Sequence, residues 1–172
     1  MIRRGNQQER LSTRDRLGYF LAGFVEGEGS FTVQVRFHPG TKFGIAIDPE
    51  FYLYQHQKRK KILELAQEFF QTGKIWKKPG TENVLVYGIK SRRSIIEKVV
   101  PFVEKYLLPY TSRKEQIEFF LNVLKMLEEK KHHTKEGILE IVDYLYSTER
   151  KFKIPKSTLV ERILRGHTLD RS

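Results

Sequence analysis

Apolar positions recur along this chain with two periods, and each period marks an element. From about Arg14 to Glu26, Leu17, Phe20, Leu21, Phe24 and Val25 follow the i, i+3, i+4, i+7, i+8 spacing. That predicts an amphipathic helix with one buried stripe. The period then drops to two. Between Phe31 and His38, Phe31, Val33, Val35 and Phe37 point one way, and Thr32, Gln34, Arg36 and His38 the other. This is the pattern of a half-buried strand. Pro39-Gly40 signals a turn. Alternation resumes from Ile45 to Tyr54, with Ile45, Ile47, Phe51 and Leu53 on the apolar face. Pro49 is expected to weaken the middle of that strand.

Downstream, Lys58 to Phe70 predicts a helix with Ile62, Leu63, Leu65, Ala66 and Phe69 inward, capped by Gly73. Lys74 to Ile89 predicts a hairpin turning at Pro79-Gly80. Helices are expected over about Arg92–Tyr106, Ser112–Lys130 and Lys135–Tyr146, with Leu124, Met126 and Leu127 in the core. A short helix is expected over Lys156–Leu164. The order helix, hairpin, helix, hairpin, helices predicts an α+β domain with one antiparallel sheet. Residues 1–13 read as a polar leader, 14–150 as a single domain and 151–172 as a basic tail.

An antiparallel sheet can cover helices with one face and leave the other open. The open face would carry Thr32, Gln34, Arg36, His38, Tyr52 and Tyr54, then Trp76, Lys78, Asn83 and Leu85 from the second hairpin. Arg reads guanine edges, and Gln or Asn reads adenine edges, in a DNA major groove. An ordinary wetted sheet face is the competing reading. It would more often show Thr, Ser, Glu and Lys without large aromatics.

The first helix ends unusually, in Gly23, Glu26, Gly27, Glu28 and Gly29. Each helical glycine costs about 1 kcal/mol relative to Ala. Carboxylates at a helix C-terminus oppose its macrodipole. A bound divalent cation would reverse that penalty.

Charge sharpens the picture. Lys and Arg number 32 against 21 Asp and Glu, a net +11 that points first to nucleic acid and second to an acidic membrane surface. No apolar run is long enough to span a bilayer. The first ten residues lack the apolar segment of a secretory signal, and there is no cysteine. The expectation is an intracellular protein, in a bacterial cytoplasm or an organelle matrix. With five His and no Cys, a structural zinc site is not expected, and His132-His133 reads as a solvated connection. No Gly-rich phosphate loop is present, so ATP use is not expected.

The run Leu21-Ala-Gly-Phe-Val-Glu-Gly-Glu-Gly29, with the element order above, resembles the LAGLIDADG homing endonucleases of the single-motif type, encoded by group I introns. The motif does not recur downstream. The resemblance implies an αββαββα core with a saddle-shaped DNA-binding sheet and extra C-terminal helices. It implies Mg²⁺-dependent, site-specific double-strand cleavage of a long pseudo-palindromic target, with Mn²⁺ as a substitute. It also implies a homodimer in which Gly23 and Gly27, four residues apart on one helical face, let a second helix approach closely.

Glu28 would be the metal carboxylate and the Gly27 carbonyl a second ligand. The family usually has Asp at both acidic positions, whereas both are Glu here. Glu26 is not assigned to the metal. Gln55 and Arg59 fall where the family places polar active-site residues. Leu108 to Gln116 resembles the segment that supplies its active-site lysine, with Lys114 the best match. Each has a plain reading beside this one: a strand end, a solvated helix start or phosphate anchor, and a surface charge. Tail cations Lys151, Lys153, Lys156, Arg162 and Arg165 would touch phosphates or only solvent. The alternatives to a nuclease are an intron RNA maturase and a non-cleaving DNA-binding regulator on the same scaffold.

Overall fold

The computed structural model describes residues 11–148 and 150–165. Residues 1–10 of the expected leader and 166–172 of the expected tail lie outside the described residues. Helix α1 (Thr13–Glu28) starts where Ser12 Oγ accepts from the Asp15 amide, a side-chain N-cap. Strands β1 (Gly29–Phe37) and β2 (Ile45–His56) follow directly. A 3-10 turn, Gln57–Arg59, leads into α2 (Lys61–Phe70). Gly73 does not cap α2 as expected. Gln71 takes the left-handed cap position at φ 52°, and Gly73 lies two residues further on. Strands β3 (Lys74–Lys77) and β4 (Val84–Ile89) form the second hairpin.

One continuous helical run, α3, comprises Arg92–Ser94, Ile95–Val99, Val100–Phe102 and Val103–Leu107. Ile95–Val99 and Val103–Leu107 are π-wound. Pro101 sits between those two wider turns and has no N–H to give an α-helical ladder. Helices α4 (Lys114–Glu128), α5 (Lys135–Tyr146) and α6 (Lys156–Arg165) complete the described chain. Helix α6 is the short helix expected over Lys156–Leu164, within the described part of the expected tail.

All four strands are antiparallel in the order β1-β2-β4-β3. β2 pairs with β1 from Ile45 to Leu53, whereas β4 covers β2 only from Phe51 to His56. Pro49 therefore sits in the half of β2 that has a neighbour on one side alone, where a missing N–H is tolerated.

The helices cover one face of the sheet and build two cores. The first joins Leu21 and Val25 of α1 to Phe31, Phe51, Leu53, Leu63, Phe70, Tyr87, Val99, Phe102 and Phe120. The second joins Phe43, Ile45 and Ile47, at the far end of the β1–β2 hairpin, to Val123, Ile141, Leu145, Leu159 and Ile163. Val33 packs against both.

Phe20 departs from the single-stripe expectation, being 56% exposed. α1 carries two apolar stripes. Leu21 and Val25 face the core. Phe20, Gly23, Phe24 and Gly27 form a second line at i, i+3, i+4, i+7. A Cβ placed on Gly23 or Gly27 would meet nothing within 4 Å.

Candidate nucleic-acid interface and acidic helix terminus

The register settles which side chains share the open face. Ser30 lies opposite Tyr52, Thr32 opposite Glu50, Gln34 opposite Asp48 and Arg36 opposite Ala46. Tyr52 lies opposite Gly88, and Tyr54 opposite Val86, which in turn lies opposite Trp76. Thr32, Gln34, Arg36, Tyr52, Tyr54 and Trp76 are therefore together on the face the helices do not cover. Lys78 joins them, its ammonium 5.2 Å from the Tyr54 ring centre.

Three of the other assignments change. His38 falls just past β1, in the turn, with its Nδ1 buried and without a partner. Asn83 precedes β4, and its Oδ1 accepts from Gln57 Nε2 at 2.7 Å. Leu85 lies on the opposite face, level with Gln55, and packs against the first core. The physical reason is that Val84, Leu85, Val86 and Tyr87 are apolar on both faces, so alternation gives no phase there.

The centre of this face is aromatic. The Tyr52 ring centre is 6.0 Å from that of Trp76 and 6.2 Å from that of Tyr54. Val86 is buried beneath them although it belongs to neither core. Gly88 makes this packing possible: a Cβ there would lie 2.4 Å from Trp76 and 2.7 Å from Tyr52. Lys90 Nζ sits 5.5 Å from the Trp76 ring and 5.7 Å from that of Tyr52. Cations over aromatic faces gain about 0.5–1 kcal/mol each at exposed sites.

The alternation that placed Tyr52 and Tyr54 here also brings Asp48 and Glu50, which the sequence reading passed over. Both are engaged. Arg36 Nε donates to Asp48 at 2.7 Å, and the Tyr52 hydroxyl donates to Glu50 at 2.6 Å. Burial, then the bond to Glu50, pushes the Tyr52 hydroxyl far above its ordinary pKa.

At the end of α1 the two glutamates part company. Glu26 Oε2 accepts from Thr111 Oγ1 at 2.6 Å, and its Oε1 accepts from Ser112 N at 3.0 Å and Ser112 Oγ at 2.6 Å. Burial works to raise its pKa, but these bonds and the Arg113 charge hold it below the usual value. Arg113 Nη1 donates to the carbonyls of Val25 and Glu26, 3.1 Å from each. A protein cation therefore covers the negative pole of α1. Sequence reasoning missed this Arg, although it stands beside the Lys114 that it singled out.

Glu28 is the last residue of α1 and is exposed. Among the described residues its carboxylate takes no hydrogen bond or ion pair. The pairing of Gly29 with Leu53 sets the α1–β1 junction beside the end of β2, where Gln55 lies. The Arg113 and Glu26 bonds bring the start of α4, hence Lys114, to the same junction. Gln55 Oε1 accepts from the His56 amide at 2.8 Å. Lys114 Nζ is exposed, 3.7 Å from Glu118. Arg59 is exposed on the 3-10 turn beyond β2. The fold thus gathers Glu28, Gln55 and Lys114 at one corner and leaves Arg59 a few residues further along.

Hard oxygen donors at that corner suit a hard divalent cation. The free Glu28 carboxylate and the exposed Gly27 backbone fit such an ion. Among the described residues no three His, Cys, Asp or Glu side chains converge on a metal site.

A four-stranded antiparallel sheet with one face left open by the helices, entered from a glycine-acid helix terminus, defines the αββαββα fold class. The family model for the LAGLIDADG endonuclease matches residues 21–124. A relative, the DNA endonuclease I-CeuI of Chlamydomonas moewusii, is 36% identical over 134 residues, 77% of this chain and 62% of that protein. The chain thus spans less than two thirds of that relative's length. The solved structure of group I intron-encoded homing endonuclease I-CeuI complexed with DNA superposes with a TM-score of 0.76 at 30% identity, covering 90% of this chain and 79% of that one. That of the archaeal intron-encoded homing endonuclease I-Vdi141I complexed with DNA gives 0.77 at 25% identity, covering 88% and 96%. This chain belongs to the LAGLIDADG endonuclease family.

Proposed function

We propose that this protein is a site-specific homing endonuclease that makes a divalent-metal-dependent double-strand break in a long pseudo-palindromic DNA target. The observation that carries this reading is Glu28: a carboxylate without a partner among the described residues, at the terminus of a helix whose outer stripe is open. Two copies packed through Phe20, Gly23, Phe24 and Gly27 would bring two Glu28 side chains together at the base of a twofold axis. Each open sheet face would then lie in a major groove on its side of the cut.

Glu28 and the Gly27 carbonyl would hold the ion, with Mg²⁺ the expected metal and Mn²⁺ a substitute. When bound, it lowers the pKa of a water and neutralises the leaving oxygen. The chain's own groups do the rest. Gln55, at the end of β2, orients the attacking water. Lys114 leaves its loose pair with Glu118 and places its charge against the phosphate. Arg59, exposed beside them, anchors a flanking phosphate. The aromatic patch of Tyr52, Tyr54 and Trp76 gives a rigid surface, and Gln34 and Lys78 keep free hydrogen-bonding ends for base edges.

A plasmid library of candidate intron-insertion sequences, incubated with Mg²⁺, tests the activity. Linearisation at one site is expected. No cleavage, with tight binding to intron RNA instead, would select the maturase reading. The Glu28→Gln variant should lose cleavage and keep DNA affinity within a few-fold. Equal loss of both would make Glu28 a structural residue.

A further inference from the structure

The free half-edge of β2 borders a cavity of about 680 Å³ that no part of the catalytic corner uses. It wraps around the strand. Ala46 and Asp48 line it from the open face, and Phe43, Ile45 and Ile47 from the helix side. Three cations from three separate elements converge on it: Lys42 from the β1–β2 turn, Lys90 from the end of β4 and Arg92 from the start of α3. Its one carboxylate, Asp48, is taken by Arg36 at 2.7 Å. The cations themselves are loosely held. Lys90 is 3.8 Å from Glu50, Arg92 is 4.0 Å from Glu128, and Lys42 donates to the His133 carbonyl at 3.1 Å.

His132 forms part of the wall. Its pKa is pushed down, first by burial and then by the charges of Arg92 and His133, with Glu128 working the other way. Beside the three cations the lining carries the Thr41 hydroxyl, the His132 and His133 rings and apolar surface. Lys42, Lys90 and Arg92 are the donors in it that suit a compact oxyanion.

We propose that this cavity binds a phosphate, and that its occupant is a backbone phosphate of the duplex lying on the open face. The assignment rests on the DNA-binding reading above. It follows from Lys90, which lines the cavity and also lies over Trp76 and Tyr52. A duplex seated on those rings carries its backbone past the cavity mouth. Lys42 and Arg92 then fix the register of the protein on DNA without reading a base.

Two measurements test this on the full chain. The first is the salt dependence of duplex binding for the wild type, for Lys42→Gln with Arg92→Gln, and for a control of equal charge, Lys98→Gln with Lys125→Gln on α3 and α4. The cavity pair should lower the slope of log K against log salt by about 0.9 per copy, and the control by much less. The second needs no variant: inorganic phosphate added to the wild type should shift the ring resonances of His132 and His133 and leave His56 unmoved.

An unchanged slope in the cavity pair overturns the proposal. A phosphate response with an unchanged slope does so too, because it makes the cavity a free-anion site. Absence of the histidine response in a folded wild type equally sinks it. A wild type with no salt-dependent duplex binding would fail at the earlier step, and would remove the DNA reading together with this one.

Discussion

At the scale of single residues, the motif's two glutamates hold different jobs, and their partners show it. Glu26 closes a clamp across 86 residues of chain with Ser112, and Arg113 completes it on the Val25 and Glu26 carbonyls. The clamp sets Glu28 and Lys114 at one corner. Removing Glu26 takes away three charge-assisted hydrogen bonds, one from the part-buried Thr111 hydroxyl and two from the exposed Ser112 amide and hydroxyl, so Glu26→Ala should cost about 1–3 kcal/mol in thermal or denaturant unfolding. The pH sign follows from the lowered carboxyl. A carboxyl held low in the folded state stabilises fully above the ordinary carboxylate pKa, and that contribution is lost as pH falls through the lowered value. The gap between wild type and Glu26→Ala should therefore be widest near neutral pH and narrow as pH falls below the ordinary carboxylate range. A gap that ignores pH would mean the loss is packing alone. A cation at the helix end was legible as a need, from the unfavourable carboxylates. That Arg113 meets part of it was not legible, because nothing local pairs positions so far apart.

At the scale of elements, period-2 alternation located β1 and β2 well, and it fixed the open-face identity of Thr32, Gln34, Arg36, Tyr52 and Tyr54. It failed on β4, where both faces are apolar because an aromatic patch covers one and the core the other. Helical periodicity found α1 but could not see that a second stripe, with Phe20, stays outside. It also found α6, expected over Lys156–Leu164, but set it in a basic tail outside the domain, since ten residues with two buried side chains give little sign of a core role. The structure gives α6 a supporting role. Leu159 and Ile163 enter the second core, and the Arg162 guanidinium lies 5.3 Å from the Phe37 ring. Gly44, at φ +71°, leaves room for that guanidinium, which a Cβ would meet at 2.6 Å. Leu159→Ala should cost about 2–5 kcal/mol of local stability. Amide exchange should then quicken from Phe37 to Ile47 while Phe51, Leu53 and Phe120 stay protected. Uniform acceleration would show that the two cores unfold as one.

At the scale of the whole molecule, the open stripe of α1 and the free Glu28 carboxylate pose one question, because each is incomplete alone. Among the described residues no helix is long and apolar enough to cross a membrane. The proposed twofold partner accounts for that stripe, and it can be removed without touching the monomer. Gly23→Leu adds bulk where nothing lies within 4 Å, and it also replaces a helix-weakening residue, which favours the monomer by up to about 1 kcal/mol. Phe20→Lys puts a charge on a side chain that is already 56% exposed, where the cost to folding is small. The double variant should sediment as a monomer where a dimer is expected of the wild type, and its melting temperature should no longer depend on protein concentration. Double-strand cleavage should fall by at least a hundredfold, because each active corner then lacks the carboxylate of its mate. Dimeric sedimentation with full activity would place the partner surface elsewhere. A melting temperature below that of the wild type at dilutions where both are monomeric would mean that the stripe packs within the chain after all.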